Sequence, residues 1–496
     1  MPHSVIADAC DGTRWNRGLR RLLAAAALLI GFSILVRGLN HDEGQYVGAI
    51  ALMRGGWPYI DFAYLQTPLQ PIILYPLAFI PAGWLLLAAR AANGLFALAT
   101  IALLAIELKG RVRPANGLTA LVALACTEPF LWGASLGRND ALPMLFLAGA
   151  VAVLLCAIRQ EKPILEMALG GLLLGLATST KISAAVPAAG AVAYVLLRSR
   201  RLGLRGVAAF AAGALIGLLP CFIFAIVAPE QFRFDVFSYS LHAPAQWWSS
   251  VGRAGMLEFH HRVLRLLRFG AEGVILVGLA ASALDRCRTE DRLLLDLMVI
   301  GGAIGSYMPE PAYAQYLIPL LPPLVPRFAL ALDSFAERPR RAFLLLTAVS
   351  CAFGLFYTAH LGIRARRRGS ELIAAVEQGR TASRLGAGRS IVTLSPEVIA
   401  GADANLDRRF VTGPFLFRTF GALSADALRY GYSPNWQRFD AALDMEPPGA
   451  ILTGGETRPH PQHPQGLDGR LVSWAIAHRY KAILLRRGGF TLFIRD

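Results

Sequence analysis

Long apolar runs alternate with short polar stretches over residues 1–360 of the chain. A helix of about 20 apolar residues crosses a bilayer, so this pattern predicts a polytopic α-helical membrane domain there. The sequence predicts about eleven transmembrane helices, several of them short or interrupted by Gly and Pro. Their approximate limits are 21–37, 85–107, 115–134, 141–158, 164–179, 183–198, 206–228, 271–285, 292–308, 313–333 and 341–360.

The pattern changes after residue 361, where short strand-like runs alternate with polar loops and helical stretches. SIVTLS, GAILTG, AILLRR and FTLFIRD are typical of strands, whereas ELIAAVEQ and RLVSWAIAHRY are typical of helices. We therefore predict a C-terminal extramembrane α/β domain over residues 361–496. Its sequence contains no phosphate-loop, zinc-ligand or nucleophile-elbow pattern.

The first outer loop, 38–84, lies between the first two predicted spans. Its stretch NHDEGQYVGAIALMRGG predicts a short amphipathic helix along the outer surface of the membrane. Asn40 is a suitable N-cap, Glu43 has the capping-box spacing from it, and Asp42 and Tyr46 share one helix face. The later PLQPIILYPLAFIPAG contains four prolines, which favours a re-entrant or surface-lying segment over a full span.

The composition supports a membrane protein, because 55% of the residues are hydrophobic and only 17% are charged. The net charge of +16 alone would be compatible with nucleic-acid binding. Many arginines, however, stand in short groups between apolar runs, as in loops that flank membrane spans. The six cysteines have neither metal-ligand spacing nor a paired pattern, and the adjacent His260 and His261 are typical of a solvated loop. No cleavage signal follows the first apolar run, which predicts an uncleaved first helix.

Six basic loops alternate with the predicted spans and fall on one side of the membrane. They are WNRGLRR, LKGRVRP, IRQEKP, RSRRLGLR, DRCRTEDR and AERPRR. The positive-inside rule makes this side cytoplasmic. The opposite side receives the first outer loop, the LGRND loop, the turn after TSTK, the loop 229–270, the MPEPAYAQY loop and the C-terminal domain. The other ionisable groups therefore gather on one face, which predicts a site at the outer boundary between membrane and water.

Each of these ionisable residues also has a structural interpretation. Glu43 would interact with the helix dipole as a capping residue. A carboxylate at Asp42 beside lipid is costly unless it is used or paired. Arg138 would pair with Asp140 or Asp42, and Lys181 would extend to the interface from the end of a span.

The stretch DEGQYVGAIALMRGGWPYIDFAYLQTPLQP resembles the first outer loop of GT-C-type glycosyltransferases. It is most similar to the family-39 type, which includes protein O-mannosyltransferases and the aminoarabinose transferases that modify lipid A. The shared elements are an Asp-Glu pair, a Tyr three or four residues later, a G…PY.D element and a PL element. GRNDALPMLFLAGAVAVLL, LATSTKISAAVPAAG and YAQYLIPLLPPL resemble, in this order, the second outer loop, a Lys-ended span and a late span rich in Tyr and Pro. The resemblance covers about residues 20–330.

Enzymes of this type transfer a sugar from a polyprenyl-phosphate carrier to a hydroxyl acceptor with inversion, and the resemblance implies the same activity here. It implies Asp42 as the general base that takes the proton of the acceptor. Positive charge from Lys181 and Arg138 would stabilise the leaving phosphate. Substrate contacts are implied for Glu43, Tyr46, Tyr59, Arg138, Asp140, Lys181, Tyr313 and Tyr316. A divalent cation, held by Glu43 and Asp140, is an open alternative.

One departure from the family pattern lies in LQTPL. Close relatives often carry a Lys just before this element, where it can meet the phosphate, whereas this chain has Gln66 and Thr67. Either Lys181 or an arginine of FHHRVLRLLRFG is then expected to supply the charge, or else phosphate binding is altered.

Resemblance and topology together predict an enzyme of a bacterial inner membrane whose C-terminal domain is periplasmic. The predicted partners are the bilayer, a polyprenyl-phosphate-linked sugar donor and an envelope glycan, lipid or protein acceptor, and not nucleic acid. Two alternatives are open. A transporter or flippase of a lipid-linked or anionic substrate would place ionisable residues near the middle of the membrane and often shows inverted halves. A catalytically inactive relative would keep full function after Asp42→Asn.

Overall fold

Helices form most of the chain up to Arg368, and a small sheet with flanking helices follows. This architecture is that of a computed structural model, which describes residues 2–161, 163–418, 434, 436–459, 464–485 and 489–495. Residues 2–11 are described by their backbone alone. The predicted fold class, a helical membrane part with a C-terminal α/β part, is confirmed.

The α-helices of the first part differ widely in length. They are Pro2–Val36, Asp42–Leu52, Leu69–Ile73, Trp84–Leu108, Pro114–Ala125, Glu128–Ser135, Ala141–Ala157, Ile164–Thr180, Ala185–Leu197, Ser199–Gly217, Leu219–Val227, Pro229–Arg233, Tyr239–Ser250, Phe259–Gly270, Val274–Leu284, Glu290–Tyr307, Leu321–Ser334 and Glu337–Arg368. Short 3-10 segments are Tyr75–Phe79, Ile182–Ala184, Ala254–Leu257 and Ala314–Leu320, and Phe234–Ser238 is a π-helical turn.

Four helices within the described residues are long and apolar enough to cross a membrane. They are Gly12–Val36, Trp84–Leu108, Ala314–Ser334 and Glu337–Arg368. Two helix pairs also qualify but are bent, Pro114–Ala125 with Glu128–Ser135 by 60° and Ser199–Gly217 with Leu219–Val227 by 53°. Shorter apolar helices are Ala141–Ala157, Ile164–Thr180, Ile182–Leu197 and Val274–Leu284. The protein is therefore a multi-pass membrane protein in which the predicted spans 115–134 and 206–228 are broken. The number of eleven spans stays a prediction.

The proline-rich segment after the first outer helix is not a span. It forms the helix Leu69–Ile73 and the 3-10 segment Tyr75–Phe79, each of five residues. An α-helix of five residues rises only about 8 Å, far less than the roughly 30 Å of a bilayer core. The prediction that this segment does not cross the membrane is thus confirmed.

The basic loops lie together at one end of the helix bundle. Ion pairs and hydrogen bonds join loops that are far apart in sequence, namely Lys109 with Asn16, Arg113 with Asp333, Arg159 with Asp291 and Arg198 with Glu290. Lys162 of the IRQEKP loop lies outside the described residues. The position of the basic loops at one end of the bundle agrees with the prediction that they lie on the same side of the membrane.

Helices Ile164–Thr180 and Ser199–Gly217 pack with their backbones nearly in contact. A Cβ added to Gly213 would overlap the carbonyl oxygen of Ala168, and one added to Gly171 would overlap the carbonyl oxygen of Phe210. Gly175 and Gly217 repeat this arrangement one turn further along. Small residues at this spacing let membrane helices approach closely and associate by van der Waals packing.

Five short strands form the C-terminal sheet in the described part of the chain. They are β1 (Ser390–Thr393), β2 (Asn405–Leu406), β3 (Ala450–Thr453), β4 (Lys481–Leu484) and β5 (Thr491–Ile494). Their order is β2-β1-β3-β5-β4. Strand β1 is parallel to β2 and β3, and β5 is antiparallel to β3 and β4. The four predicted strand runs are all present, although the end of AILLRR lies outside the described residues.

Helices of the C-terminal part flank this sheet. They are Glu371–Leu385, Pro396–Ile399, Pro414–Phe417, Phe439–Met445 and Asp468–Ala477. The first of these contains the predicted stretch ELIAAVEQ, and the last contains RLVSWAIAHRY up to Ala477. The helix that contains residue 361 continues to Arg368, so the first C-terminal element begins at Glu371.

The C-terminal part packs directly on the first outer loop. Helix Asp42–Leu52 is buried along nine of its eleven residues. A Cβ added to Gly44 would lie 2.9 Å from the Pro396 ring, and one added to Gly48 would lie 3.0 Å from the Val411 side chain. Protein therefore covers most of this helix, and its position along the outer surface of the membrane stays a prediction. Because Gly44 and Gly48 have no side chains, the C-terminal part packs closely against the helix and covers its apolar face.

Candidate active site

The turn before helix Asp42–Leu52 sets the direction of Asp42. The helix begins one residue later than a cap at Asn40 predicts, with His41 in the N-cap position. The Asn40 side chain still accepts a hydrogen bond from the Asp42 N–H at 3.0 Å, and the Glu43 carboxylate accepts one from the Asn40 N–H at 3.2 Å. These bonds fix the turn, and Asp42 and Tyr46 both line one cavity.

Asp42 begins a line of alternating charges. Its carboxylate pairs with the Arg138 guanidinium, whose Nε also donates to Asp140 at 2.9 Å. Asp140 pairs in turn with Lys181. The side chain of Asp42 is 22% exposed, whereas those of the other three are at most 6% exposed. The structure thus brings together four candidates from three separate loops, and Asp42 is the one most open to an incoming molecule.

Asp140 is held as a carboxylate inside this line. Burial by itself raises the pKa of Asp140, but the charges of Lys181 and Arg138 outweigh burial and leave the pKa below its ordinary value. Both cations are therefore partly neutralised by protein before any ligand arrives.

The loop that carries Arg138 is fixed by buried polar side chains. The Asn93 amide donates to the carbonyl oxygens of Leu136 and Arg138, both at 2.6 Å. The Gln70 amide also donates to the Arg138 carbonyl, at 2.9 Å. Buried polar groups are costly when unpaired, so these bonds hold the loop, and with it the guanidinium, in one place.

Glu43 does not reach the cavity. Its carboxylate is fully buried against Arg90, whose Nε and Nη2 donate to it at 2.8 and 2.6 Å. The Gly137 N–H donates to the same carboxylate at 2.6 Å. The substrate or cation contact that the resemblance implies for Glu43 does not fit this geometry. Its carboxylate instead ties the loop of Arg138 to the helix that carries Asp42.

The implied tyrosines divide into two environments. Tyr46, Tyr313 and Tyr316 line the same cavity as Asp42. The ring of Tyr59 is instead buried in an aromatic cluster, and its hydroxyl donates to a backbone carbonyl of its own loop. Tyr59 therefore supports the outer loop and has no contact with the cavity, contrary to the contact that the resemblance implies.

These side chains open into a cavity of about 560 Å³ between the helix bundle and the C-terminal part. Small-molecule sites are usually clefts of this size with mostly apolar and aromatic walls and a few polar groups. Of the described residues, nine aromatic ones line this cavity, namely Tyr46, Trp132, Tyr239, Trp248, Phe269, Tyr313, Tyr316, Tyr357 and Phe415. The walls thus combine ring faces with a cluster of charges at one side.

The structure adds charged cavity residues that sequence reasoning did not single out. Arg268 and Glu272 come from the end of helix Phe259–Gly270 and the turn after it, and Arg418 comes from the C-terminal part. Arg268 lies in FHHRVLRLLRFG, which the sequence named as a source of positive charge. No sequence motif identifies Arg418, because the pattern of hydrophobic and polar residues does not show which C-terminal loop packs over the cavity.

Gln66 stands where relatives often have Lys, and it also lines the cavity. Its side-chain oxygen lies 3.3 Å from the Asn139 amide nitrogen. The Thr67 hydroxyl donates to the Thr178 carbonyl at 3.1 Å. Positive charge in the cavity therefore comes from elements other than this stretch.

The carboxylates around this cavity are each close to a cation in the described residues. The pairs are Asp42 with Arg138, Asp140 with Lys181, Glu128 with Arg37, Glu272 with Arg268 and Glu310 with Arg262. Among the described residues around the cavity, no two carboxylates are therefore unpaired and able to bind a divalent cation together. A described group that could hold a metal ion, Glu258 with His260 and His261, is exposed and lies outside the cavity lining.

Comparison with known families gives a match to glycosyltransferase family 87 over residues 64–308, just under half of the chain. The matched part contains Arg138, Asp140 and Lys181 and begins after Asp42. No curated protein sequence matches at a significant level. The family differs from the family-39 type that the first outer loop resembles.

The fold is similar to solved structures of two proteins. ArnT from Cupriavidus metallidurans, in a structure bound to undecaprenyl phosphate, has a TM-score of 0.60 and 15% identity over 96% of this chain and 98% of ArnT. Its apo structure also has a TM-score of 0.60, with 14% identity. The archaeal oligosaccharyltransferase AglB from Archaeoglobus fulgidus, in complex with an inhibitory peptide and a dolichol-phosphate, has a TM-score of 0.52 and 12% identity over 96% of this chain and 74% of AglB. At these identities the likeness concerns the fold.

Proposed function

We propose that this GT-C-type membrane protein is a glycosyltransferase that moves a sugar from a polyprenyl-phosphate carrier to a hydroxyl acceptor. Its match to glycosyltransferase family 87 and its fold support the reaction class. The undecaprenyl phosphate and dolichol-phosphate bound by the two similar proteins support a carrier of this kind. The observation that carries the proposal is the partly exposed Asp42 carboxylate at one side of an aromatic cavity with cationic walls.

Asp42 acts as the general base in a single inverting displacement. An acceptor hydroxyl in the cavity gives its proton to a carboxylate oxygen of Asp42 as its own oxygen attacks the anomeric carbon. The bond between that carbon and the phosphate oxygen breaks on the opposite face. Its electron pair leaves with the polyprenyl phosphate, so the configuration of the sugar inverts.

Arg138 orients this base. Its ion pair with Asp42 orients the carboxylate, and its bond to Asp140 fixes the guanidinium from the other side. The phosphate needs positive charge as it leaves. Arg268 provides this positive charge together with Lys181, whose charge Asp140 neutralises only in part. The hydroxyls of Tyr313 and Tyr316 serve as hydrogen-bond donors. No step requires a metal ion.

The reaction takes place on the periplasmic face of a bacterial inner membrane. Helix Ala141–Ala157 begins beside Asp140 near the cavity and ends beside Arg159 of a basic loop. The basic loops therefore lie at the other end of the bundle, and such loops stay in the cytoplasm. Acceptors are then molecules of the envelope, whether glycan, lipid or protein. The C-terminal part stands over the cavity on the same side.

The test compares, by mass spectrometry, the envelope glycans and lipids of a deletion strain with those of the same strain complemented with the Asp42→Asn variant. We expect the deletion and the variant to lack the same sugar, because loss of a general base typically slows a reaction by a hundredfold or more. Asp440→Asn is the matched control. It is the same substitution at an exposed aspartate of the C-terminal part, where Asp440 pairs with Arg470 at 2.7 Å outside the cavity lining. A deletion strain with unchanged glycans and lipids would refute the proposal.

A further inference from the structure

Four arginine and lysine residues among those described line the cavity, and they differ in their partners. Arg138 and Lys181 are bound to carboxylates, and Arg268 lies 4.0 Å from the Glu272 carboxylate. Arg418 contacts two aromatic rings, and no Asp or Glu among the described residues lies within ion-pair distance of its guanidinium. Among the cavity cations described, its charge is therefore the least neutralised by protein.

The segment that carries Arg418 is firmly anchored. Leu416 and Phe417 are each 1% exposed, and the Phe417 ring packs edge-on against Phe439 in the core of the C-terminal part, with ring centroids 5.3 Å apart. The Phe417 carbonyl also accepts a hydrogen bond from the Trp436 N–H at 2.8 Å. The backbone of this segment thus holds Arg418 at the cavity wall.

Aromatic stacking sets the direction of the guanidinium. Its carbon lies 4.7 Å from the centre of the Trp247 ring and 4.8 Å from that of Phe415. The Phe415 ring meets His41, the neighbour of Asp42, edge-on at 5.6 Å. Among the described residues the Arg418 guanidinium makes these ring contacts and no ion pair, and its planar fork of N–H donors matches the oxygens of a phosphate.

We propose that Arg418 is an anion-binding residue which the C-terminal part contributes to the cavity, and that its ligand is a phosphate group. The proposal rests on the proposed function as far as the ligand is the phosphate of the lipid carrier. A phosphate on the acceptor has the same chemistry and is the second source. In either case the C-terminal part supplies a residue that binds the ligand, and does not only cover the cavity. Arg418 also supplies a cation that the LQTPL stretch lacks.

The experiment measures binding to the full-length protein in detergent by native mass spectrometry, with undecaprenyl phosphate as the probe. We expect Arg418→Gln to weaken binding about ten- to a hundredfold, because hydrogen bonds to charged groups are among the strongest in proteins. Arg418→Lys keeps the charge but loses the planar fork, so its affinity should lie between the two. Arg253→Gln is the matched control. Arg253 is exposed and stacks on the neighbouring Trp248 at 5.9 Å, outside the cavity lining.

A second arm separates the two sources of phosphate. Inorganic phosphate is titrated into wild-type protein and into Arg418→Gln, once without the carrier and once with saturating undecaprenyl phosphate. If Arg418→Gln binds undecaprenyl phosphate normally but loses inorganic phosphate, Arg418 serves the acceptor side. If it loses neither, the proposal is overturned. Wild-type protein that fails to bind undecaprenyl phosphate would instead refute the carrier assignment, and the inorganic phosphate arm would then decide on Arg418. Thermal unfolding of each variant shows whether it is folded.

Discussion

At the scale of single residues, the adjacent acids Asp42 and Glu43 have opposite environments. Asp42 stands at the cavity wall with part of its carboxylate exposed, whereas Glu43 is sealed in contact with Arg90. Arg90 further donates to the carbonyl oxygens of Ile34, Arg37 and Gly38 at the end of the first helix. Glu43 is therefore a structural residue that joins the first helix, the outer loop and the loop of Arg138.

This difference predicts separate effects on stability and on activity. Breaking a buried ion pair from one side leaves an uncompensated charge and costs about 3–5 kcal/mol. Glu43→Gln should therefore lower the unfolding temperature of the purified protein markedly. Asp42→Asn should leave that temperature nearly unchanged while it abolishes sugar transfer. Equal unfolding temperatures for wild type and Glu43→Gln would show that Glu43 has no structural role.

A second residue-scale prediction concerns pH. The Asp468 carboxylate is buried in the C-terminal part and accepts hydrogen bonds from the Gly454 and Glu456 N–H groups at 2.8 and 2.9 Å. Burial raises the pKa of Asp468 to about 6, above the value near 3.9 of an unfolded chain. The folded protein then binds more protons between these values, so its stability falls as pH rises from about 4 to 6, by roughly 3 kcal/mol.

Thermal unfolding between pH 4.5 and pH 6.5 checks this prediction. Asp468→Asn cannot ionise, so its unfolding temperature should fall less across that range than the wild-type value. Asp440→Asn is the control, because Asp440 is exposed in the same part of the chain and pairs with Arg470 at 2.7 Å. If the unfolding temperature of Asp468→Asn falls with pH as steeply as that of the wild type, the pH dependence does not come from Asp468.

The sequence predicted which residues gather at the site better than it predicted their contacts. Asp42, Arg138, Asp140 and Lys181 fall on one face once the spans are placed, and the structure joins them in one line. The burial of Glu43 could not be foreseen in the same way. Its partner Arg90 belongs to another helix, and a capping spacing is compatible with both an exposed and a buried carboxylate.

At the scale of helices, hydropathy located the apolar segments but did not locate the bends within them. A sliding count of apolar residues takes no account of direction, so the spans 115–134 and 206–228 were predicted as single helices. The structure bends them near Cys126 and Leu218, by 60° and 53°. The strands of the C-terminal part were found from local runs of β-branched residues, but the two-residue β2 is too short to leave such a signal.

Packing between helices gives a prediction at this scale. Gly213→Ala places a Cβ against the Ala168 carbonyl oxygen, so the helices Ile164–Thr180 and Ser199–Gly217 must separate. Overpacking of this kind costs about 1–3 kcal/mol and should lower the unfolding temperature. Gly206→Ala is the matched control in the same helix, since its Cβ would meet only Leu202 at 3.5 Å. Equal unfolding temperatures for the two variants would contradict this account of the packing.

At the scale of the whole molecule, the cavity belongs to neither part of the chain alone. The membrane part supplies Asp42 and its line of charges, and the C-terminal part supplies Phe415 and Arg418. Sequence patterns predicted each part separately, because hydropathy and strand runs are local properties. The docking between them depends on the shape of both surfaces, and for this reason the sequence did not predict that the C-terminal part covers helix Asp42–Leu52, and it left Arg418 unnoticed.

The orientation of the whole molecule in the membrane is the last prediction. The basic loops lie at the end of the bundle opposite to the cavity, so Cys287 of the DRCRTEDR loop, which is exposed, should face the cytoplasm. Ser473 is exposed on a helix of the C-terminal part, and Ser473→Cys should face the periplasm. A membrane-impermeant maleimide applied to cells with a permeabilised outer membrane should label Ser473→Cys at once. Cys287 should react only after the inner membrane is opened, as peptide mass spectrometry would show. If both cysteines react in the same step, the C-terminal part and the basic loops share one side. Asp42 would then not face the envelope acceptors that the proposed reaction needs.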